Sequence, residues 1–315
     1  MDLRVALGAL RLANPILAAA GTFGYGAEFR RSVRLEELGG IVTKTITRQP
    51  RAGNPPPRLA ETPSGMLNAV GLQNVGLDAF LSEKLPEAAS LHVPVIVSVL
   101  GESLGEIQEL CSRLGEQAAV AAIELNLSCP NLPERHVPGN RSRFDMIAQD
   151  PEATADVVTR AKRSTTKPII AKLSPDVTDI RPVAQAAERA GADAIAVGNT
   201  FTGMSLDPRT RRSRLGSLTG GLSGPAIRPL AVYRVWMVSQ AVRCPVIGIG
   251  GIVRGEDAVE FFLAGASAVA VGTAHFADPA AALAVLNGLR RYLACHRMAS
   301  MQELIGALQT DVVSG

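Results

Sequence analysis

Aromatic residues are scarce: phenylalanine, tyrosine and tryptophan make up 4% of the 315 positions. The interior must therefore be filled by small and branched side chains, a composition that suits close helix-on-strand packing. Cysteine is scarce as well. The four residues, Cys111, Cys129, Cys244 and Cys295, form no CxxC pair. That spacing excludes a zinc ribbon or an iron–sulfur motif carried by this chain, and no metal site is expected. The usage fits a reducing compartment. No apolar run reaches the roughly 18 residues of a membrane span. The start, MDLRVALGALRLANP, lacks a basic region followed by a long apolar core and a small-residue cleavage site. A cytoplasmic protein without a signal peptide is expected. Charge of one sign is also lacking: the net charge is +3, spread along the chain. The arginine-rich stretch RTRRSRLG (209–216) reads as solvated surface, not as a nucleic-acid site.

What is present is apolar and periodic. Hydrophobic residues make up 47% of the chain, enough for one large core or two ordinary ones. Short runs rich in β-branched residues recur: ILAAAG (16–21), GIVTKT (40–45), PVIVSVLG (94–101), AAIELNLS (121–128), PIIAKLS (168–174), AIAVGNT (194–200), PVIGIGG (245–251) and AVAVGT (268–273). Continuous apolar strands point to a parallel sheet covered on both faces. Between them lie helical patterns with recognisable ends. Ser103 with Glu106 three residues on is a capping box. Asp150 followed by Pro151 is a cap with proline at the first helical position. Gly191 stops the segment DIRPVAQAAERAG. Alternation of this kind predicts a (β/α)8 TIM barrel, with a doubly wound sheet as the runner-up. No linker is visible, so residues 1–315 are expected to form a single domain. The proline-rich GNPPPRLAETPSGMLN (53–68) is expected to be an excursion between strands two and three.

Barrel enzymes place reacting groups at the C-terminal ends of their strands. Those ends here carry Gly21, Lys44, Thr45, Asn126, Cys129, Lys172, Asn199, Thr200, Gly250, Gly251, Gly272 and Thr273. The glycine pair after strand seven, with a helix soon after, and the Gly-Thr after strand eight form an expected phosphate seat. GGLSGPAI adds a glycine turn before another helix. Two buried lysines near a phosphate-bearing ligand would balance an anion, and flavin mononucleotide fits that description. A sugar phosphate fits it equally well. ELNLSCPN (124–131) sets a cysteine among amides at a strand end, and such a thiol is either a small buried hydrophobe or a reactive group.

These stretches resemble the dihydroorotate dehydrogenases from about Asn14 to Pro279. The matching segments are NPILAAAGTFGYG, TKTITRQPRAGNPPPRLAETPSGMLNAVGLQN, ELNLSCPN, IIAKLSP, TGGLSGPAI, IGIGGI and ASAVAVGTAHFADP. The GNPPPRLAETPSGMLNAVGLQN segment looks most like the NAD-linked class 1B branch, which uses Cys as the base.

The resemblance implies oxidation of (S)-dihydroorotate to orotate in de novo pyrimidine biosynthesis. Cys129 would remove the C5 proton, and hydride from C6 would pass to FMN. The substrate would be held by Lys44, Asn68, Gly71, Leu72, Asn126, Asn131, Asn199 and Thr200. The FMN would be held by Gly21, Lys44, Thr45, Asn126, Lys172, Gly198, Gly224, Gly250, Gly251, Gly272 and Thr273, with Gly198 contacting it through the main chain. Amides both donate and accept, which suits a ring of alternating C=O and N–H groups. An ordinary thiol titrates near 8.5, so the rate is expected to rise with pH through that range.

The resemblance also implies a partner. This chain has neither a cysteine cluster nor a G-x-G-x-x-G fingerprint opening a helix. FAD and a 2Fe–2S cluster are expected on a second subunit that passes electrons to NAD, in a heterotetramer built on a homodimer of this chain. A fumarate-linked soluble dihydroorotate dehydrogenase, a dihydropyrimidine dehydrogenase-like subunit and a non-redox phosphate-binding barrel are the alternatives. The chain departs from the family after CPN, where LPERHVPGNRSRFDMIAQDP looks about eight residues longer than usual. Long active-site loops tend to be lids, and Arg135, His136, Arg141 and Arg143 could there meet an anionic substrate; a solvated surface loop is the other reading.

Overall fold

The computed structural model describes residues 1–127 and 147–309. Eight parallel strands close into a barrel: β1 (Ile16–Ala18), β2 (Gly40–Val42), β3 (Val95–Val99), β4 (Val120–Asn126), β5 (Ile169–Leu173), β6 (Ala194–Val197), β7 (Val246–Ile249) and β8 (Ala268–Val271). Each pairs with the next in sequence, and β8 pairs back to β1, with Val269 opposite Ile16. All eight runs expected from sequence are strands of this barrel. Both faces are covered, which explains why the runs are continuous rather than alternating. In β3 and β5 every residue is buried. The doubly wound alternative is therefore excluded by closure.

The helices form as their ends predict. Ser103 Oγ accepts from the Glu106 N–H, and the helix runs Leu104–Gly115. The Glu106 carboxylate reaches one residue further back than a capping box requires, accepting from the Glu102 N–H at 2.7 Å. Asp150 caps Pro151–Ser164 by accepting from Glu152 and Ala153. Within Leu104–Gly115 the inward stripe is Ile107, Leu110, Cys111 and Leu114, the i, i+3, i+4, i+7 spacing of a helix laid on a sheet. Leu110 is fully buried, so Leu110→Ala would cost about 2–5 kcal/mol. After β1 the chain makes only two short 3₁₀ turns, Ala27–Phe29 and Leu35–Glu37, where a full helix would be usual.

The proline-rich excursion is a hairpin, Leu59–Thr62 with Gly65–Asn68. It does not stand alone. Gly65–Asn68 pairs with Gly220–Ser223, which pairs with Phe201–Gly203, giving a four-stranded antiparallel sheet. A second excursion, between β6 and the helix Arg228–Ser239, thus meets the first. The sheet has its own small apolar cluster of Leu67, Ala69 and Leu215. RTRRSRLG lies on the tip of this second excursion, in the small hairpin of Leu206–Asp207 and Arg212–Ser213.

Candidate functional site

A cleft of about 1130 Å³, counting its open mouth, lies at the C-terminal ends of the barrel strands beside the four-stranded sheet. Its floor is set by strand register. Side chains two apart on a strand share a face, so Glu124 and Asn126 of β4 point the same way. Asn126 pairs with Lys172 of β5, and Glu124 pairs with Ser98 of β3. All four side chains are buried. They connect: Ser98 Oγ donates to Glu124 Oε1 at 2.9 Å, Thr45 Oγ1 lies 2.9 Å from Ser98 Oγ, and Asn126 Nδ2 donates to Thr45 Oγ1 at 3.1 Å. Lys172 Nζ is 3.8 Å from Glu124 Oε1. Thr45, Asn126 and Lys172 line the cleft, whereas Glu124 and Ser98 lie beneath it. Lys44 also lines the cleft but is only half-buried, not fully buried as the lysine pair suggested from sequence.

The outer wall comes from the excursions. Asn68, at the end of its hairpin strand, donates through Nδ2 to the Gly221 carbonyl at 3.1 Å. Gly71 and Leu72 follow, both in the left-handed region (φ 72 and 57). The Asn74 amide donates to the Leu72 carbonyl at 2.8 Å and anchors that turn. Across the cleft, the Thr200 N–H donates to Asn199 Oδ1 at 2.9 Å. Asn68, Gly71, Leu72, Asn199 and Thr200 all face the same cleft.

The glycines divide into two kinds. A Cβ on Gly250 would meet Ala231 at 2.8 Å, one on Gly251 would meet Arg228 at 2.7 Å, and one on Gly224 would meet the Gly65 backbone at 2.8 Å. These three have positive φ, and protein packing alone demands them. Gly272 and Gly198 are different. Neither has a positive φ, and an added Cβ would make only ordinary contacts, 3.7 Å from Ala19 and 3.5 Å from Pro175. Both line the cleft. Their missing side chains leave room for something seated in it. Gly21 is intermediate: its φ is 85, and the only neighbour of an added Cβ is Lys44 Nζ at 3.8 Å. A flat ring flanked by glycine backbone, with lysine and amide groups in reach and Gly272-Thr273 at one end for a phosphate, fits this lining. The residues present therefore fit flavin mononucleotide.

One part of the expected phosphate seat differs. The helix Gly255–Leu263 behind β7 is capped by its own Asp257, whose Oδ2 accepts from the Val253 and Arg254 N–H groups at 2.8 Å each. Asp257 also pairs with Arg228. The N–H groups of Val253 and Arg254 are therefore taken up within the protein, and the glycine loops before them carry the expected anion seat.

Cys129, Asn131 and the loop residues Arg135, His136, Arg141 and Arg143 lie outside the described residues. Every other expected substrate or flavin residue lines the one cleft. Glu124 and Ser98 were not singled out from sequence. The signal was available: a carboxylate inside an apolar barrel strand, two residues before Asn126, must share its inward face. From sequence Cys244 and Cys295 read as ordinary buried thiols; Cys244 is partly buried, but Cys295 is exposed, because Leu289 and Leu293 hold the inward face of its helix.

Comparison with known proteins gives a consistent picture. A family model described as dihydroorotate dehydrogenase matches residues 2–293. The chain is 50% identical over 308 residues to the "Dihydroorotate dehydrogenase B (NAD(+)), catalytic subunit" of Geotalea daltonii, covering 98% of each. It is 51% identical over 305 residues to the subunit of the same name from Trichlorobacter lovleyi, covering 97% of this chain and 98% of that one. A crystal structure of DHODH from Eimeria tenella in complex with ferulenol superposes with a TM-score of 0.80 at 25% identity, over 97% of this chain and 88% of that one.

Proposed function

The chain belongs to the dihydroorotate dehydrogenase family, and from that premise we propose that it oxidises (S)-dihydroorotate to orotate for pyrimidine biosynthesis, as the FMN-bearing catalytic subunit of an NAD-linked enzyme. The observation that carries this reading is the convergence of Lys44, Lys172 and the amides of Asn68, Asn126 and Asn199 on one glycine-lined cleft. When bound, flavin mononucleotide supplies a two-electron acceptor for the hydride.

The protein's own residues do the rest. The amides of Asn68, Asn126, Asn131 and Asn199 hold a pyrimidine ring and its carboxylate, each able to donate and accept. Lys44, Gly71, Leu72 and Thr200 complete that pocket. Cys129 takes the C5 proton, which the neighbouring substrate carbonyl makes removable. A positioned base of this kind is worth about 10²–10⁴-fold. Lys172 and Lys44 supply positive charge where the reduced ring gains electrons. Gly21, Thr45, Gly198, Gly224, Gly250, Gly251, Gly272 and Thr273 hold the ring and phosphate.

We take residues 1–315 as one flavin-binding barrel domain. A partner subunit carrying FAD and a 2Fe–2S cluster would take the electrons on to NAD, in a heterotetramer built on a homodimer of this chain. The words "catalytic subunit" in the relatives' names support a partner. Val253 and Phe276, which line the cleft, leave apolar surface exposed beside it. No described helix is long and apolar enough to cross a membrane.

The test is anaerobic. The purified chain, loaded with flavin mononucleotide, is mixed with L-dihydroorotate and its visible spectrum followed. Bleaching of the yellow colour is expected. A chain that loads flavin yet stays oxidised would move the substrate to another pyrimidine, and one that takes up no flavin would remove the redox reading.

A further inference from the structure

We infer that Glu124 is a positioning residue for the flavin pocket. Its carboxylate sets the direction of a buried hydrogen-bond chain ending at Asn126, and its charge holds the Lys172 ammonium at the cleft floor. The inference rests on the function proposed above and adds to it a residue that no part of that reading uses.

The direction follows from counting hydrogens. A carboxylate paired with an ammonium can only accept. Ser98 has one hydroxyl hydrogen and donates it to Glu124 Oε1. The bond between Thr45 and Ser98 must then be donated by Thr45. That spends the only hydroxyl hydrogen of Thr45, so Thr45 can receive only a donor, and it receives Asn126 Nδ2. Four residues on three barrel segments are thereby locked in one polarity. The amide of Asn126 is fixed with its NH₂ toward Thr45 and its carbonyl end turned the other way. Replacing an acceptor-only group by one that can also donate removes the constraint at its source.

The charge follows from burial. The side chains of Lys172 and Glu124 are 6% and 3% exposed. Two charges withdrawn from water to this degree contribute little net stability, and apolar substitutes of the same volume would often serve as well. Their place beneath the cleft gives them another use. Lys172 lines the cleft and Glu124 does not, so the pair puts its positive end toward the cleft, where it would meet a bound flavin, and its negative end away from it.

The two roles separate experimentally. Glu124→Gln keeps the shape but removes the charge behind Lys172 and, because its amide can also donate, the polarity constraint with it; the flavin midpoint reads the charge alone. The uncompensated ammonium then favours the more negative, reduced flavin. A tenfold shift toward reduction is expected, which for a two-electron couple is about 30 mV upward. Ser98→Ala cuts the chain and leaves both charges in place. Its flavin midpoint should match the unaltered protein, while KM for dihydroorotate rises several-fold because the Asn126 amide is no longer locked.

The full-length chain and both variants would be loaded with flavin mononucleotide, checked for one flavin per chain, and titrated anaerobically against a redox dye. KM would be measured with an artificial electron acceptor. An E124Q protein with full flavin and an unaltered midpoint overturns the inference. If E124Q does not fold or load, S98A decides: a raised KM at constant midpoint upholds the chain, and an unchanged KM overturns it. The midpoint measurement uses no substrate. Flavin that loads but is not bleached by dihydroorotate in the unaltered protein therefore sinks the proposed function and leaves the test of Glu124 standing.

Discussion

The His275 ring packs against the Phe23 ring with centroids 4.6 Å apart. Phe23 in turn stacks on Phe29 at 4.2 Å. These contacts tie the segment after β8, which carries Gly272 and Thr273, to the segment after β1, which carries Gly21. The imidazole is buried, and neither ring nitrogen has a well-formed hydrogen bond among the described residues. Burial pushes its pKa down from 6.5 to about 4, against the opposing pull of Asp278 and the Gly272 backbone.

A pH dependence of stability follows. Between pH 6.5 and 4 the unfolded chain binds a proton that the folded chain refuses. Stability must fall as pH drops through that window and level off below it, by about 3 kcal/mol in all from this residue. His275→Phe keeps an aromatic ring against Phe23 and removes the titration. Urea unfolding at pH 7 and pH 5 should show the variant losing about 2 kcal/mol less than the unaltered protein over that interval. Equal losses in the two proteins would exclude His275 as the source.

The barrel was legible in the sequence because each strand is buried on both faces and each helix has a readable end. Ser103, Asp150 and Gly191 marked helix boundaries that the structure keeps. The strand-end residues were legible for the same reason: a polar group after a continuous apolar run has one place to go in a closed barrel. The second excursion was not. Gly220–Ser223 read as a glycine turn because its partners, Asn68 and its neighbours, lie about 150 residues away, and no local periodicity encodes that pairing. The Asp257 cap was missed because a helix start read from a glycine loop does not say whether the helix's own carboxylate returns to it. Glu124 was missed because its meaning depends on register with Ser98 and on Lys172, neither of which is near it in sequence.

The two kinds of glycine can be told apart by substitution. Gly272→Ala adds a methyl group that meets the protein only at ordinary distances, so unfolding stability should change by no more than about 0.5 kcal/mol. The same methyl enters the cleft, and flavin affinity, read by quenching of flavin fluorescence, should fall at least about tenfold, about 1.4 kcal/mol. Gly251→Ala forces an alanine to φ 72 with its Cβ 2.7 Å from that of Arg228, and this variant should lose stability outright. A G272A protein that binds flavin normally would show that Gly272 does not face the ligand.

Thiol reactivity should sort the cysteines by environment. Burial pushes Cys111 up to about 12, and burial together with Glu188 does the same for Cys244, so both stay protonated at pH 8. Iodoacetamide needs the thiolate. Peptide mapping after treatment at pH 8 should find Cys111 and Cys244 unmodified and the exposed Cys295 modified. Loss of dihydroorotate-dependent bleaching should track modification of Cys129, and Cys295→Ser should inactivate at the same rate as the unaltered protein. Bleaching that survives full modification of Cys129 would remove it as the base.

The proposed division of labour between subunits predicts what this chain should not do alone. On the proposed function its cleft takes one flavin and one pyrimidine, and its sequence has no glycine fingerprint of the dinucleotide-binding kind. Flavin bleached by dihydroorotate under anaerobic conditions should therefore stay reduced when NAD is added, and recolour when a small artificial acceptor is added. Addition of a partner subunit carrying FAD and an iron–sulfur cluster should make the NAD reaction run. A dye reaches a cleft that NAD need not enter, so recolouring by dye but not by NAD separates a missing electron route from a dead flavin. Rapid reoxidation by NAD with this chain alone would place the nicotinamide in the barrel cleft itself and make the second subunit unnecessary.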